Sequence, residues 1–140
     1  MAASTPSLSA DLLRATTAVG EHYYASANSV GLSVQEARLL FILSLAPSNM
    51  LGLTAALNVP KSTMSGLIGR MESAGLVVRK RDPSDRRHLL AFPTPQGTAA
   101  ASAFATDLAS RVSGVLSVLD ADEQRDLAAI LSEILVGLEP

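Results

Sequence analysis

The sequence predicts a mainly α-helical chain that carries one small β-hairpin. Three observations lead there. Apolar residues recur at steps of three and four toward both ends of the chain, two short β-like runs flank the turn-forming string Asp82-Pro83-Ser84-Asp85, and Gly31, Pro47, Gly75 and Pro95 fall where such elements need to stop or start. With 140 residues, 48% hydrophobic and 17% charged, the chain has enough apolar surface for one core and is short for two domains.

Leu8, Leu12, Ala15, Val19, Tyr23 and Ser26 share one helical face, so a first helix is expected over about 8–28, capped by Ser7 and ended by residues 28–31. Ser33 precedes a second helix over 34–46. Its almost wholly apolar run from Leu39 to Leu45 fits a buried central helix that stops before Pro47. A brief third helix fits residues 50–57. After Asn58-Val59-Pro60, a fourth over 61–74 turns Met64, Leu67, Ile68 and Met71 inward, and Gly75 supplies its left-handed stop. Residues 76–81 read as a strand and 88–92 as its return. Because proline cannot donate to a ladder, that second strand is expected to end at Phe92, before Pro93.

Thr94 and Pro95 open the next helix, since threonine caps free amides and proline is shaped for the first helical position. It is expected to reach Leu119 and to bury Phe104, Leu108, Val112 and Val115, helped by the alanines after Gly97. Asp120 and Glu123 resemble a capping box, and Leu127, Ile130, Leu131, Ile134 and Leu138 trace a last apolar stripe. No internal repeat is visible.

Charge is unevenly placed. The chain carries a net charge of −2, yet between Lys61 and His88 seven basic residues face three acids, against four basic residues and ten acids elsewhere. Crowded cations near a hairpin tip repel one another unless an anion approaches, which points to a polyanion such as DNA. On charge alone, a solvated loop is an equal reading. The absence of cysteine excludes disulfides, thiolate metal sites and thiol nucleophiles. His22 and His88 form no zinc motif, and the serines include no GxSxG elbow, so neither an enzyme, nor a metal, nor a cofactor is expected. The N-terminal string MAASTPSLSADLL lacks the pattern of an export signal, and no apolar run approaches the ~18 residues of a membrane span. The expectation is a soluble, cytoplasmic protein that associates with the nucleoid.

Helices followed at once by a hairpin give the order of a winged helix-turn-helix, whose last helix before the wing enters the major groove. Near the start of that helix Ser62, Thr63 and Ser65 carry short hydroxyls able to meet base edges or phosphates, with Lys61 and Arg70 available to phosphates. Capping by Ser62 or a neighbour is an equal and compatible reading. The string LTAALNVPKSTMSGLIGRMESAGLVVRKRDPSDRRHLLAFPTPQG, Leu53 to Gly97, resembles the DNA-binding core of the multiple-antibiotic-resistance regulator (MarR) family. The DPSDRR wing, the AGLVVR entry strand and the STMSGLIGRMES helix carry the likeness together.

That resemblance implies a winged helix-turn-helix core over 33–93, flanked by N- and C-terminal dimerisation helices over 8–30 and 95–138, in one domain over 1–140. It casts Arg87 as the arginine that enters the minor groove and Asp85 as the acid that steers it, with Arg79, Arg81 and Arg86 on phosphates. A mere surface ion pair between Asp85 and Arg87, worth ~0 to 1 kcal/mol, is the plain alternative. Gly66 and Gly69 depart from the family pattern where relatives often carry arginine and aspartate, which thins direct base readout. The resemblance further implies a dimeric repressor of a palindromic operator on double-stranded DNA, released by a small aromatic or anionic effector near His22, Tyr23, Tyr24 and Arg38. The rival reading is a winged-helix protein-interaction module that does not bind specific DNA.

Overall fold

Short polar side chains set most helix starts in this chain, and the computed structural model, which describes residues 7–138, finds them in place. Residues 1–6, the start of the segment read for an export signal, lie outside the described residues, as does the side chain of Leu138 from the last stripe. The elements are α1 (Leu8–Ser29), α2 (Val34–Leu45), α3 (Met50–Leu57), α4 (Lys61–Ser73), β1 (Val77–Arg81), β2 (Leu89–Pro93), α5 (Pro95–Leu116) and α6 (Ala121–Leu138).

The Ala10 N–H donates to Ser7 Oγ at 3.3 Å and the Gly52 N–H to Asn49 Oδ1 at 2.8 Å, so each helix start gains an acceptor for an otherwise unpaired amide. Two capping boxes close reciprocally. Ser33 and Glu36 exchange bonds of 3.2 and 2.9 Å at α2, and Asp120 and Glu123 exchange two of 2.9 Å at α6. Thr94 Oγ1 accepts from the Gly97 N–H at 3.0 Å and donates to the Gly75 carbonyl at 2.6 Å, which ties the start of α5 to the end of α4. Only α4 lacks this device: Pro60 precedes it, and no side chain caps it. Ser62 is therefore not spent on capping.

One core cluster joins Leu39, Leu40 and Leu43 of α2, Leu53 and Leu57 of α3, and Met64, Leu67, Ile68 and Met71 of α4 to Leu76, Val77, Ala91 and Ala101. Burying each Leu, Ile or Met side chain contributes about 1.5–3 kcal/mol, so this cluster holds the helices and hairpin as one body. A smaller cluster of Ala27, Ala37 and Phe104 has Tyr23, Val30 and Leu108 packed against it. The turn after α4 uses a left-handed Gly75 at φ 73°, as its position in the sequence requires.

β1 and β2 pair antiparallel, with Val78 opposite Phe92 and Arg79 opposite Ala91. Contrary to the expectation, β2 runs through Pro93 rather than ending at Phe92. The register explains it. Asp82 N–H donates to the His88 carbonyl and Thr94 N–H to the Leu76 carbonyl, so hydrogen-bonded rungs alternate such that Pro93, opposite Val77, occupies a rung that needs no amide from it. On the outer side of β2, Ala91 exchanges backbone bonds of 2.8 and 3.4 Å with Ser48.

α5 also departs from expectation, ending at Leu116 instead of Leu119. The Gln124 amide donates to the Leu116 and Leu119 carbonyls at 3.2 and 3.0 Å, which satisfies the acceptors of the interrupted last turn. Phe104 is buried, Leu108 and Val112 are half-buried, and Val115 is 47% exposed. The chain divides into two compact units, Met1–Leu108 and Ala109–Pro140. On α6 of the second, Ile130, Leu131, Ile134 and Leu135 all remain exposed.

Gly97 sits where a β-carbon would fall 2.0 Å from the Leu76 carbonyl oxygen, a backbone atom that cannot step aside. Gly97→Ala should therefore destabilise the fold by roughly 1–3 kcal/mol, as overpacking does. Urea denaturation of the two proteins measures it, and an unchanged midpoint refutes the close approach.

Candidate nucleic-acid interface

Because Met64, Leu67, Ile68 and Met71 are buried, the opposite side of α4 must face solvent, and Lys61, Ser62, Thr63 and Ser65 are all exposed there. Their hydroxyls lie in the first turns of a helix whose N-terminal amides carry no side-chain cap. Arg70, one turn further on, is held by Glu36 of α2 at 3.7 Å. Gly66 and Gly69 leave the rest of this face bare, with only the Arg70 side chain near Gly66.

The wing is organised by its acids. Asp82 accepts from the backbone and side chain of Ser84 at 2.8 and 2.6 Å, which shapes the tip. Asp85 accepts from Arg87 three times, from Nε at 3.0 Å, Nη2 at 2.9 Å and the backbone N–H at 3.1 Å, with His88 Nε2 at 3.6 Å. The fork presents the Arg87 guanidinium in one orientation, and Arg87 holds the Asp85 carboxyl below the usual carboxylate range. Arg86 and Lys80 are exposed as well.

Two of the other wing cations are engaged within the chain. Arg81 Nη1 donates to the Arg86 carbonyl at 2.6 Å, closing the loop on itself. Arg79 forms a bidentate pair with Glu72 at 3.0 and 2.7 Å. Sequence reading assigned both to phosphates and missed Glu36 and Glu72, because partners 34 and seven residues away leave no periodic trace.

A cleft of about 550 Å³ opens between these elements, lined by Asn49, Met50, Leu51, Thr54, Lys61, Arg87, His88 and Leu89. It brings Lys61 of α4 and Arg87 of the wing onto one surface, with Leu51 79% exposed beside them and Asp85 standing against Arg87 and His88. A second cleft of about 400 Å³ is lined by Val30, Leu32, Glu36, Arg70, Gln96 and their neighbours. His22, Tyr23, Tyr24 and Arg38 line neither. Tyr23 instead packs its ring on Phe104, centroids 5.2 Å apart, while Tyr24 is exposed and His22 and Arg38 are half-buried. Among the described residues, no group of three or more His, Cys, Asp or Glu could hold a metal ion, and no helix is long and apolar enough to cross a membrane.

Residues 30–88 match the MarR family model. The HTH-type transcriptional repressor YetL of Bacillus subtilis is 29% identical over 120 residues, which cover 84% of this chain and 70% of that protein. Among solved structures, the transcriptional repressor CouR bound to a 23-mer DNA duplex superposes with a TM-score of 0.75 at 26% identity over 92% of both chains. The Mycobacterium tuberculosis MarR family protein RV2887, in complex with salicylic acid, gives a TM-score of 0.73 at 27% identity, covering 96% of this chain and 99% of that one.

The Asp85 carboxyl titrates low because its charged form is the one Arg87 binds. A depressed acid pKa contributes order that is present above the unfolded value and is lost as pH falls through the folded one. Carboxyl NMR should therefore place Asp85 below an ordinary aspartate, and Arg87→Gln should return it upward. An Asp85 titration that ignores this substitution refutes the fork.

Proposed function

The chain belongs to the MarR family of winged-helix, DNA-binding transcription regulators, and from that membership we propose that it is a dimeric repressor of a palindromic operator. α4 enters the major groove with Ser62, Thr63 and Ser65 toward base edges, while Arg87, oriented by Asp85, reaches the adjacent minor groove. Lys61 and Arg86 meet phosphates, and Arg70 can join them if it leaves Glu36. The observation that carries this reading is the cleft shared by Lys61 and Arg87, since it supports one continuous approach of a polyanion to helix and wing.

In this reading residues 33–93 are the DNA-binding core, and the helices over 8–30 and 95–138 belong to dimerisation within one functional domain. Support comes from apolar side chains left open on both sets: Leu8, Leu12, Leu13 and Val19 on α1, and Ile130, Leu131, Ile134 and Leu135 on α6. A second copy that covers them would set two recognition helices about 34 Å apart, one turn of DNA. A small aromatic or anionic effector extends the proposal, supported by the salicylic acid held by RV2887. The site of action is the nucleoid in the cytoplasm.

Electrophoretic shifts on duplexes selected from random DNA test the reading. Phosphate-driven binding should weaken steeply as salt rises. Arg87→Ala should weaken it by about tenfold or more, some 1.4 kcal/mol. A variant that binds as tightly as the parent removes the wing assignment, and salt-insensitive or absent binding favours a protein-interaction module. Sedimentation should find a dimer at micromolar concentration; a monomer there overturns the assembly.

A further inference from the structure

Only Ala74, Gly75 and Leu76 separate α4 from β1. Around that corner, Leu76 N–H donates to the Met71 carbonyl at 2.9 Å, Gly75 N–H to the Glu72 carbonyl at 3.0 Å and Thr94 Oγ1 to the Gly75 carbonyl at 2.6 Å. These bonds fix the pivot, but a hairpin can still swing about a fixed pivot. Restraint must come from farther out along the strands.

Besides the burial of Val77 and Ala91 in the core, two polar restraints are present, and both act on the same rung. Arg79 and Ala91 lie opposite each other in the middle of the hairpin. On the β2 side, Ala91 exchanges backbone hydrogen bonds with Ser48. On the β1 side, Arg79 makes its two bonds to Glu72 of α4. The wing is thus gripped on both strands at half its length, once by backbone and once by an ion pair. The two side chains of that pair are only 39% and 28% exposed, and the two-pronged geometry admits little sliding. Burial works against the charges, yet Arg79 keeps the Glu72 carboxyl below its ordinary range and Glu72 raises the Arg79 guanidinium. An arginine committed in this way has its Nε/Nη2 edge closed to a phosphate.

Building on the DNA-binding reading above, we propose that Glu72 is a positioning residue: through Arg79 it sets the angle at which the wing meets DNA relative to α4, and Arg79 is a brace rather than a phosphate ligand. The sign of its effect separates this from simple electrostatics. Glu72→Gln removes a negative charge close to the DNA face, which by charge alone tightens binding to any duplex. The brace predicts the opposite for the selected site: about a tenfold loss there, with non-specific duplex binding unchanged or tighter. Arg79→Gln should produce the same loss and leave the salt slope unaltered, whereas removing a true phosphate contact lowers that slope by about 0.9. The double variant Glu72→Gln/Arg79→Gln should be no worse than either single one, and the reversed pair Glu72→Arg/Arg79→Glu should recover most of the affinity.

A DNA-free measurement completes the test. The chain has no cysteine, so spin labels on Ser65→Cys of α4 and Arg86→Cys of the wing, in protein diluted with excess unlabelled chain so that a dimer carries one labelled protomer, report one distance by double electron–electron resonance. Glu72→Gln should broaden that distance distribution, and the reversed pair should narrow it again. An unchanged distribution refutes the brace, as does a Glu72→Gln protein that holds the selected site as tightly as the parent. If the parent binds no duplex at all, the DNA reading fails by itself, while the label distances still decide whether Glu72 holds the wing.

Discussion

Met64, Leu67, Ile68 and Met71 follow one another at steps of three, one and three, so a helix that buries all four can turn only one other face to solvent. Their burial against α2 and α3 removes rotational freedom from α4 and thereby decides that Lys61, Ser62, Thr63 and Ser65 point outward. The interface depends on that packing more than on any single polar contact. A helix able to roll about its axis would scatter its hydroxyls over many directions, and no set of base edges would meet them twice in the same way. The missing cap at Pro60 belongs to the same arrangement, because a hydroxyl that bonds its own backbone is less available to a partner.

Electrostatic order in the wing follows a parallel logic. Three acids each hold an arginine: Glu36 holds Arg70, Glu72 holds Arg79, and Asp85 holds Arg87. Exposed pairs of this kind add little stability. Their effect lies elsewhere. Each removes rotamers from a long cationic side chain, and at Arg87, which stays exposed, that lowers the ordering cost of association. They also reduce repulsion among cations crowded into one segment of an acidic chain. The wing can therefore be both strongly basic and well defined.

Outside the winged core the balance is different. Leucines, valines and isoleucines on α1 and α6 stay open to water, although each large aliphatic side chain gains free energy when covered. Such faces are the physical motive for the second copy in the proposed assembly. A close-packed core and open apolar helix faces place different demands on sequence, and here the open faces lie mostly toward the two ends of the described chain.

How far the sequence alone reaches follows from the range of each interaction. Capping boxes at Ser33/Glu36 and Asp120/Glu123, the inward face of α4, the stop at Gly75 and the turn at Asp82 all depend on residues within four positions of one another, so local order in the chain determined them. The hydroxyl-tipped helix and the Asp85–Arg87 fork were legible for the same reason. Other features were not. Pro93 belongs to β2 only because the register places it on a rung that asks for no amide, and register is a relation between two strands. The partner of Arg79 became visible only once the corner at 74–76 had folded it onto Glu72, and that of Arg70 only once α2 had packed beside α4. The cleft that unites Lys61 with Arg87 likewise joins residues remote in the chain, and the four effector candidates line neither of the two clefts described. Local periodicity dictates which way a side chain points; what it meets there is decided by chain segments that only tertiary packing brings together.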